Sequence, residues 1–180
     1  MILKSFLSSP TTKRHVEKRV LQTDPYHLFR IIRDVDRYKE FIPLCSRSEV
    51  LRRSPDGKYF DAVLTVGYPP LFSETYVSRV HADYDNLVVT AKSIKSERLD
   101  SLVSEFRLED SSPGDGDARK EVRVDFSVEL SVSDPLIAQT LDQALQQVAG
   151  KQVEAFYKRS KELPLDAYRE DQDEDLPAKK

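Results

Sequence analysis

Residues 122–163, VRVDFSVELSVSDPLIAQTLDQALQQVAGKQVEAFYKRSKEL, carry two periodicities back to back. Val122, Val124, Phe126, Val128, Leu130 and Val132 alternate with Arg123, Asp125, Ser127, Glu129 and Ser131. A period of two gives one apolar and one wet face, the pattern of an antiparallel strand covered on one side. Asp134 and Pro135 then mark a helix start, with Asp as N-cap and Pro at the first helical position. Ile137, Leu141, Leu145, Val148, Val153 and Phe156 hold roughly one stripe as far as Leu163, and Pro164 ends the helix. Such a helix has about 29 residues and is about 43 Å long at 1.5 Å per residue. An apolar sheet face needs a cover, and this helix is the evident one.

Working back towards the N-terminus, the pattern repeats in shorter pieces. Residues 14–22 read as a first strand. Asp24 and Pro25 give a second helix start, and Leu28, Ile31, Ile32 and Val35 continue it over 25–35. A short helix over 36–41 is stopped by Pro43. Strands are expected over 47–54, 58–68, 74–84, 87–96 and 99–109, with turns at Pro55-Asp56-Gly57 and Asp85-Asn86 and a polar loop over 110–118. The order is strand, two helices, six strands and a long helix. It predicts an α+β domain over 14–163, a meander of about seven antiparallel strands closed by the last helix. Residues 1–13 read as a flexible N-terminus or the remnant of a transit segment. Residues 164–180 read as an acidic, disordered tail.

Bulk properties narrow the function. The chain has 180 residues, 39% hydrophobic and 33% charged, which suits one domain with one core. A net charge of −3 gives no general electrostatic reason to bind nucleic acid. One cysteine, Cys45, can make neither an internal disulfide nor a cysteine-rich metal site. No apolar run is long enough to span a bilayer.

Catalytic signatures are missing. His15, His27 and His81 fall in different elements without metal-ligand spacing. There is no G-x-S-x-G elbow and no glycine-rich phosphate loop. Cys45 follows the apolar run Phe41-Ile42-Pro43-Leu44, the setting of an inert thiol. Asp34, Asp36 and Glu40 read as a solvated helix face. The expectation is a binding protein rather than an enzyme, with no metal and no required cofactor.

Two segments go beyond generic patterning: DVDRYKEFIPLC at 34–45 and VGYPPLFSETYVSRV at 66–80. With VDFSVEL at 124–130 and VEAFYKRSKEL at 153–163, they resemble the coenzyme Q-binding START-domain family of the wider polyketide-cyclase and lipid-transfer superfamily. The chain departs from that family at Leu44 and at Glu105-Phe106, where tryptophan is usual, and it contains no Trp. The resemblance implies a helix-grip (START-like) fold enclosing an apolar cavity for ubiquinone or a related polyprenyl lipid. It further implies a quinone chaperone or carrier that supports respiratory electron transfer and ubiquinone biosynthesis. The setting would be the matrix side of the mitochondrial inner membrane, held peripherally, with ubiquinone-biosynthesis enzymes as further partners.

The residues that would line such a cavity come from three places. The first helix pair offers Phe29, Ile32, Tyr38, Phe41 and Pro43. The strands offer Leu64, Val66, Val77, Phe106, Phe126 and Val128. The long helix offers Ile137, Leu141, Leu145 and Val148. On residues alone, the same side chains read first as a core packed on itself, and it is the resemblance that favours a cavity. The loop Gly67–Phe72 places Tyr68, Pro69, Leu71 and Phe72 where a turn is normally polar, and these are the expected membrane contacts. Two other readings stay open: a ribosome-associated, toxin-like START protein, and a polyketide cyclase or aromatase with Tyr38, Tyr76 and Arg79 as polar cavity groups.

Overall fold

The structure is a computed structural model that describes residues 9–68, 72–113 and 119–167, without the side chains of Tyr68, Phe72, 140–144 and 147. The expectations for residues 1–8 and for 168–180 lie outside the described residues.

Among the described residues, seven strands make one antiparallel sheet: β1 (Thr11–Leu21), β2 (Cys45–Arg53), β3 (Tyr59–Tyr68), β4 (Phe72–Asp83), β5 (Val88–Ser96), β6 (Ser101–Asp110) and β7 (Val122–Val132). Strands β2 to β7 follow one another as a meander, and β1 pairs with β7 at the far side, in the order β1-β7-β6-β5-β4-β3-β2. Two helices, α1 (Pro25–Arg33) and α2 (Tyr38–Phe41), bridge β1 to β2, joined by a 3₁₀ turn over Val35–Arg37. Helix α3 (Pro135–Glu162) closes the chain over the sheet. This is the helix-grip arrangement that the sequence pattern requires.

Local chemistry fixes both helix starts. The Asp24 carboxylate accepts from the backbone N–H groups of Tyr26 and His27, both at 2.9 Å. Asp134 accepts from those of Leu136 at 2.8 Å and Ile137 at 3.4 Å. Strand β1 begins three residues earlier than residue 14, because Thr11, Thr12 and Lys13 pair in register with Val132, Ser131 and Leu130. Backbone pairing needs no apolar side chain, so composition hides it.

The sheet's inner face has two ends with different packing. At one end Phe60, Val80, Val89, Phe106 and Phe126 are buried, and α1, whose Leu28, Phe29, Ile31 and Ile32 are at most 1% exposed, packs on β5 and β6 there. Phe106 and Phe126 stack at 4.3 Å across the strands. Phe156 of α3 meets Phe106 edge-on at 5.2 Å. The other end is less filled, as described below.

His27 is buried in α1 beside the backbone of Ser160 and Leu163 at the end of α3, and burial lowers its pKa. The unfolded chain takes up a proton below about pH 6.5 while the native ring resists it, so stability falls as pH drops through that value. We predict a loss of unfolding free energy between pH 7 and 5.5 in urea titrations, and a flatter profile for His27→Gln. An identical slope in the variant would exclude His27 as the cause.

Candidate functional site: the half-filled end of the grip

Cross-strand register decides which side chains face α3. Leu64 pairs with Tyr76 and Val66 with Glu74. Both pairs lie on the face that also carries Phe60, Ala62, Ser78 and Val80. At this end Leu64, Val66, Tyr76, Leu102 and Leu130 are only half-buried, as are Ile137 and Ala138 of α3. These apolar side chains pack on the core cluster yet keep accessible surface. Tyr76 sits deep, since burial is the main cause that pushes its phenol well above the ordinary tyrosine value.

Several expected lining residues are elsewhere. Val77 pairs with Val63 on the opposite, outer face, next to Asp61 and Arg79. Arg79 is likewise outside, where it donates to Asp61 at 2.9 and 3.2 Å. With Arg52 it holds that carboxyl below the usual range. Val148 of α3 is 40% exposed and lines nothing inside. The buried stripe runs through Leu145, Ala149, Val153, Phe156 and Ser160 instead. Phe29, Ile32, Phe106 and Phe126 are 1%, 1%, 5% and 1% exposed and form the packed floor, with no free surface for a ligand. Val128 and Leu145, both 9% exposed, stand between floor and open end. The side chain of Leu141 lies outside the described set.

Tyr38, Phe41 and Pro43 are grouped at the α2 end. The Tyr38 hydroxyl donates to the Ile32 carbonyl, and its ring meets Phe156 edge-on at 5.2 Å. Phe41 lies 5.5 Å from Phe156 and under the Arg159 guanidinium at 5.3 Å. Outside this cluster runs an open groove of about 590 Å³ that Phe41 and Pro43 share with Arg19, Glu40, Lys151 and Arg159. The Glu40–Arg159 pair at 2.6 Å and the other charges make it unsuited to a hydrocarbon chain. We therefore place the candidate site inside, at the half-filled end.

Two features, Glu74 and the Leu44 turn, had no signal in the sequence pattern. Glu74 is a buried carboxylate, 3% exposed, that accepts from Ser96 Oγ at 2.5 Å and from the backbone N–H groups of Glu97 and Arg98 at 3.2 and 3.3 Å. It ties β4 to the β5–β6 turn. Leu44 has a left-handed backbone (φ 66°) and is 41% exposed. Its carbonyl accepts from the Gly67 N–H at 3.0 Å, so the Pro43-Leu44 turn lies beside the base of the β3–β4 hairpin. Of that hairpin, residues 69–71, including Pro69 and Leu71, are outside the described residues, as are the side chains of Tyr68 and Phe72. Cys45 is buried and its thiol donates to the Arg47 carbonyl at 3.3 Å. Burial pushes its pKa up, which keeps it unreactive. Among the described residues no group of three His, Cys, Asp or Glu is placed to hold a metal ion, and no helix is long and apolar enough to cross a membrane.

A curved antiparallel sheet gripped by a C-terminal helix defines the START-like helix-grip class. The chain belongs to the family described as polyketide cyclase / dehydrase and lipid transport, whose pattern matches residues 21–157. It is 29% identical over 144 residues to the mitochondrial coenzyme Q-binding protein coq10 of Schizosaccharomyces pombe, covering 79% of this chain and 84% of the relative. It is also 29% identical over 150 residues to the ribosome association toxin RatA of Pseudomonas aeruginosa, covering 83% and 96%. Among solved structures, the Zhui aromatase/cyclase from Streptomyces sp. R1128 superposes with a TM-score of 0.69 at 14% identity, over 84% of this chain and 94% of that one. A START superfamily protein from Mycobacterium smegmatis gives 0.68 at 14%, over 84% and 99%. At such identity these structures speak for the fold alone.

The assignment of α3's faces has a direct check. Leu145→Lys should cost at least about 2 kcal/mol in urea unfolding, because its charge must be desolvated or swing the helix away. Val148→Lys should stay within about 0.5 kcal/mol of the parent. Equal costs would show that the helix is rotated from the orientation described.

Proposed function

We propose that the protein binds ubiquinone or a related polyprenyl lipid in the half-filled end of the grip, and acts as a quinone carrier or chaperone rather than a catalyst. The observation that carries this reading is the run of apolar inner-face residues, Leu64, Val66, Leu102, Leu130 and Ile137, that keep accessible surface beneath a covering helix. The name of the yeast relative supports the choice of quinone. Burying a CH₂ from water is worth about 0.8 kcal/mol, but a tail leaving a bilayer moves between two apolar media and most of that gain cancels. A modest cavity can therefore both load and unload. The mitochondrial name of that relative supports a mitochondrial setting; within it we place the protein peripherally on the matrix side of the inner membrane, serving respiration and quinone biosynthesis.

Contact with the membrane would be made by the β3–β4 hairpin, through Tyr68, Pro69, Leu71 and Phe72, with the exposed Pro43-Leu44 turn beside it. A leucine in the left-handed region costs about 1 kcal/mol that glycine avoids. Leu44→Gly should thus raise the melting temperature while weakening binding to sedimented liposomes. A variant that is destabilised, or that binds liposomes fully, would remove Leu44 from the contact.

The decisive experiment is organic extraction and mass spectrometry of protein purified from a ubiquinone-producing host. Stoichiometric quinone is expected, and its repeated absence would overturn the proposal. The equally similar ribosome-association relative keeps a second reading in play. Co-sedimentation with ribosomes in sucrose gradients, coupled to quinone-free protein, would favour it.

A further inference from the structure

The half-filled end of the grip is apolar apart from a few inner-face polar groups, and most of those are committed. Ser48 Oγ accepts from the Lys39 N–H at 2.9 Å and contacts the Asp36 carbonyl at 3.1 Å. The Cys45 thiol is spent on the Arg47 carbonyl and the Tyr38 hydroxyl on that of Ile32. Ser93 Oγ accepts from the Leu102 N–H at 2.9 Å, and Glu74 is held by three donors. Tyr76 differs. It lies between Glu74 and Ser78 on the same face, opposite Leu64, and its hydroxyl makes no hydrogen bond to any described residue. Tyr76 keeps accessible surface, so its hydroxyl is open to an acceptor that a ligand supplies. A tyrosine phenol is protonated at physiological pH, so it presents a donor.

Resting on the lipid-cavity reading above, the geometry points to Tyr76 as the hydrogen-bond donor that seats the head of the bound lipid, and to that head as a neutral group with carbonyl or ether oxygens. The Glu74 carboxylate, two residues along the same face, excludes an anionic head by like-charge repulsion. Fatty acids and acidic phospholipids are therefore poor ligands, while a quinone carbonyl suits the phenol. The head sits by β3 and β4, near the hairpin. The tail lies along Leu102, Leu130 and Ile137.

The test uses the full chain, stripped of lipid, and equilibrium partitioning from detergent micelles. Three probes are compared: ubiquinone, a polyprenyl hydrocarbon of equal length without oxygen, and oleate. The wild type should prefer ubiquinone to both. Tyr76→Phe should weaken ubiquinone about 3- to 10-fold, the worth of one hydrogen bond, and leave the hydrocarbon unchanged. Its melting temperature without ligand should be equal or higher, because the hydroxyl it loses has no described protein partner. The infrared carbonyl stretch of bound ubiquinone should move up in the variant. Unchanged ubiquinone affinity, or an equal loss for ubiquinone and hydrocarbon, would overturn the donor role. Tight oleate binding would overturn the exclusion by Glu74. A wild type that binds hydrocarbon but not quinone overturns the head assignment and leaves the cavity standing. A wild type that binds none of the three overturns both. Should Tyr76→Phe fail to fold, the carbonyl stretch in the wild type decides: no downshift from its value in hydrocarbon solvent would contradict a hydrogen bond.

Discussion

Phe156 pins α3 to the rest of the molecule. It is 1% exposed and meets Tyr38, Phe41 and Phe106 edge-on at 5.2, 5.5 and 5.2 Å. Those three rings belong to the 3₁₀–α2 bridge and to the sheet, so a single side chain fixes the C-terminal half of the helix against both. Edge-to-face contacts in this range add about 0.5–1.5 kcal/mol each beyond area burial. The N-terminal half of α3 has no comparable aromatic anchor among the described residues. Its Ile137 and Ala138 are only half-buried, as are Leu64, Tyr76, Leu102 and Leu130 of the sheet. A helix fixed at one end and half-buried at the other is the physical basis of the binding site proposed above.

The middle of α3 rests on an unusual surface. The inner face of β1 carries His15, Glu17 and Arg19, while Val16 and Val20 point outwards at 50% and 55% exposure. Glu17 pairs with Arg19, which reaches across to Glu154 of α3 at 3.0 Å. Ala149 is 1% exposed, and neighbouring Gly150 lies beside the Glu17 carboxylate. The two small residues let the helix backbone approach a charged strand closely. The grip is thus a packed aromatic clamp at one end, a polar seam in the middle and a set of half-buried apolar side chains at the other.

Much of this was legible in the sequence because it rests on strong local signals. The alternation over Val122–Val132 and the paired Asp-Pro starts at Asp24 and Asp134 predict the sheet, its inner face and both long helices. Val77 was misread because Tyr76 and Val77 are both apolar enough to face inwards, so alternation cannot choose, and only the pairing with β3 does. Val148 was misread because the hydrophobic stripe passes through Ala149, whose small side chain carries little weight in a periodicity. Phe29, Ile32, Phe106 and Phe126 have the right character for a cavity wall, but whether an apolar residue is floor or wall depends on what packs on it in three dimensions. Glu74, a buried acid on an apolar face, contradicts the pattern altogether, since its donors come from a turn more than twenty residues away.

The central claim is that ligand space lies at the Leu64–Leu130 end and not around the packed floor. Methyl-resolved NMR of selectively labelled protein, titrated with a short-chain ubiquinone, tests it directly. The account predicts shifts and intermolecular contacts at the methyl groups of Leu64, Val66, Leu102, Leu130 and Ile137, with those of Leu28, Ile31 and Val124 unmoved. Perturbations centred on Leu28, Ile31 and Val124, or confined to the charged groove outside α3, would contradict it.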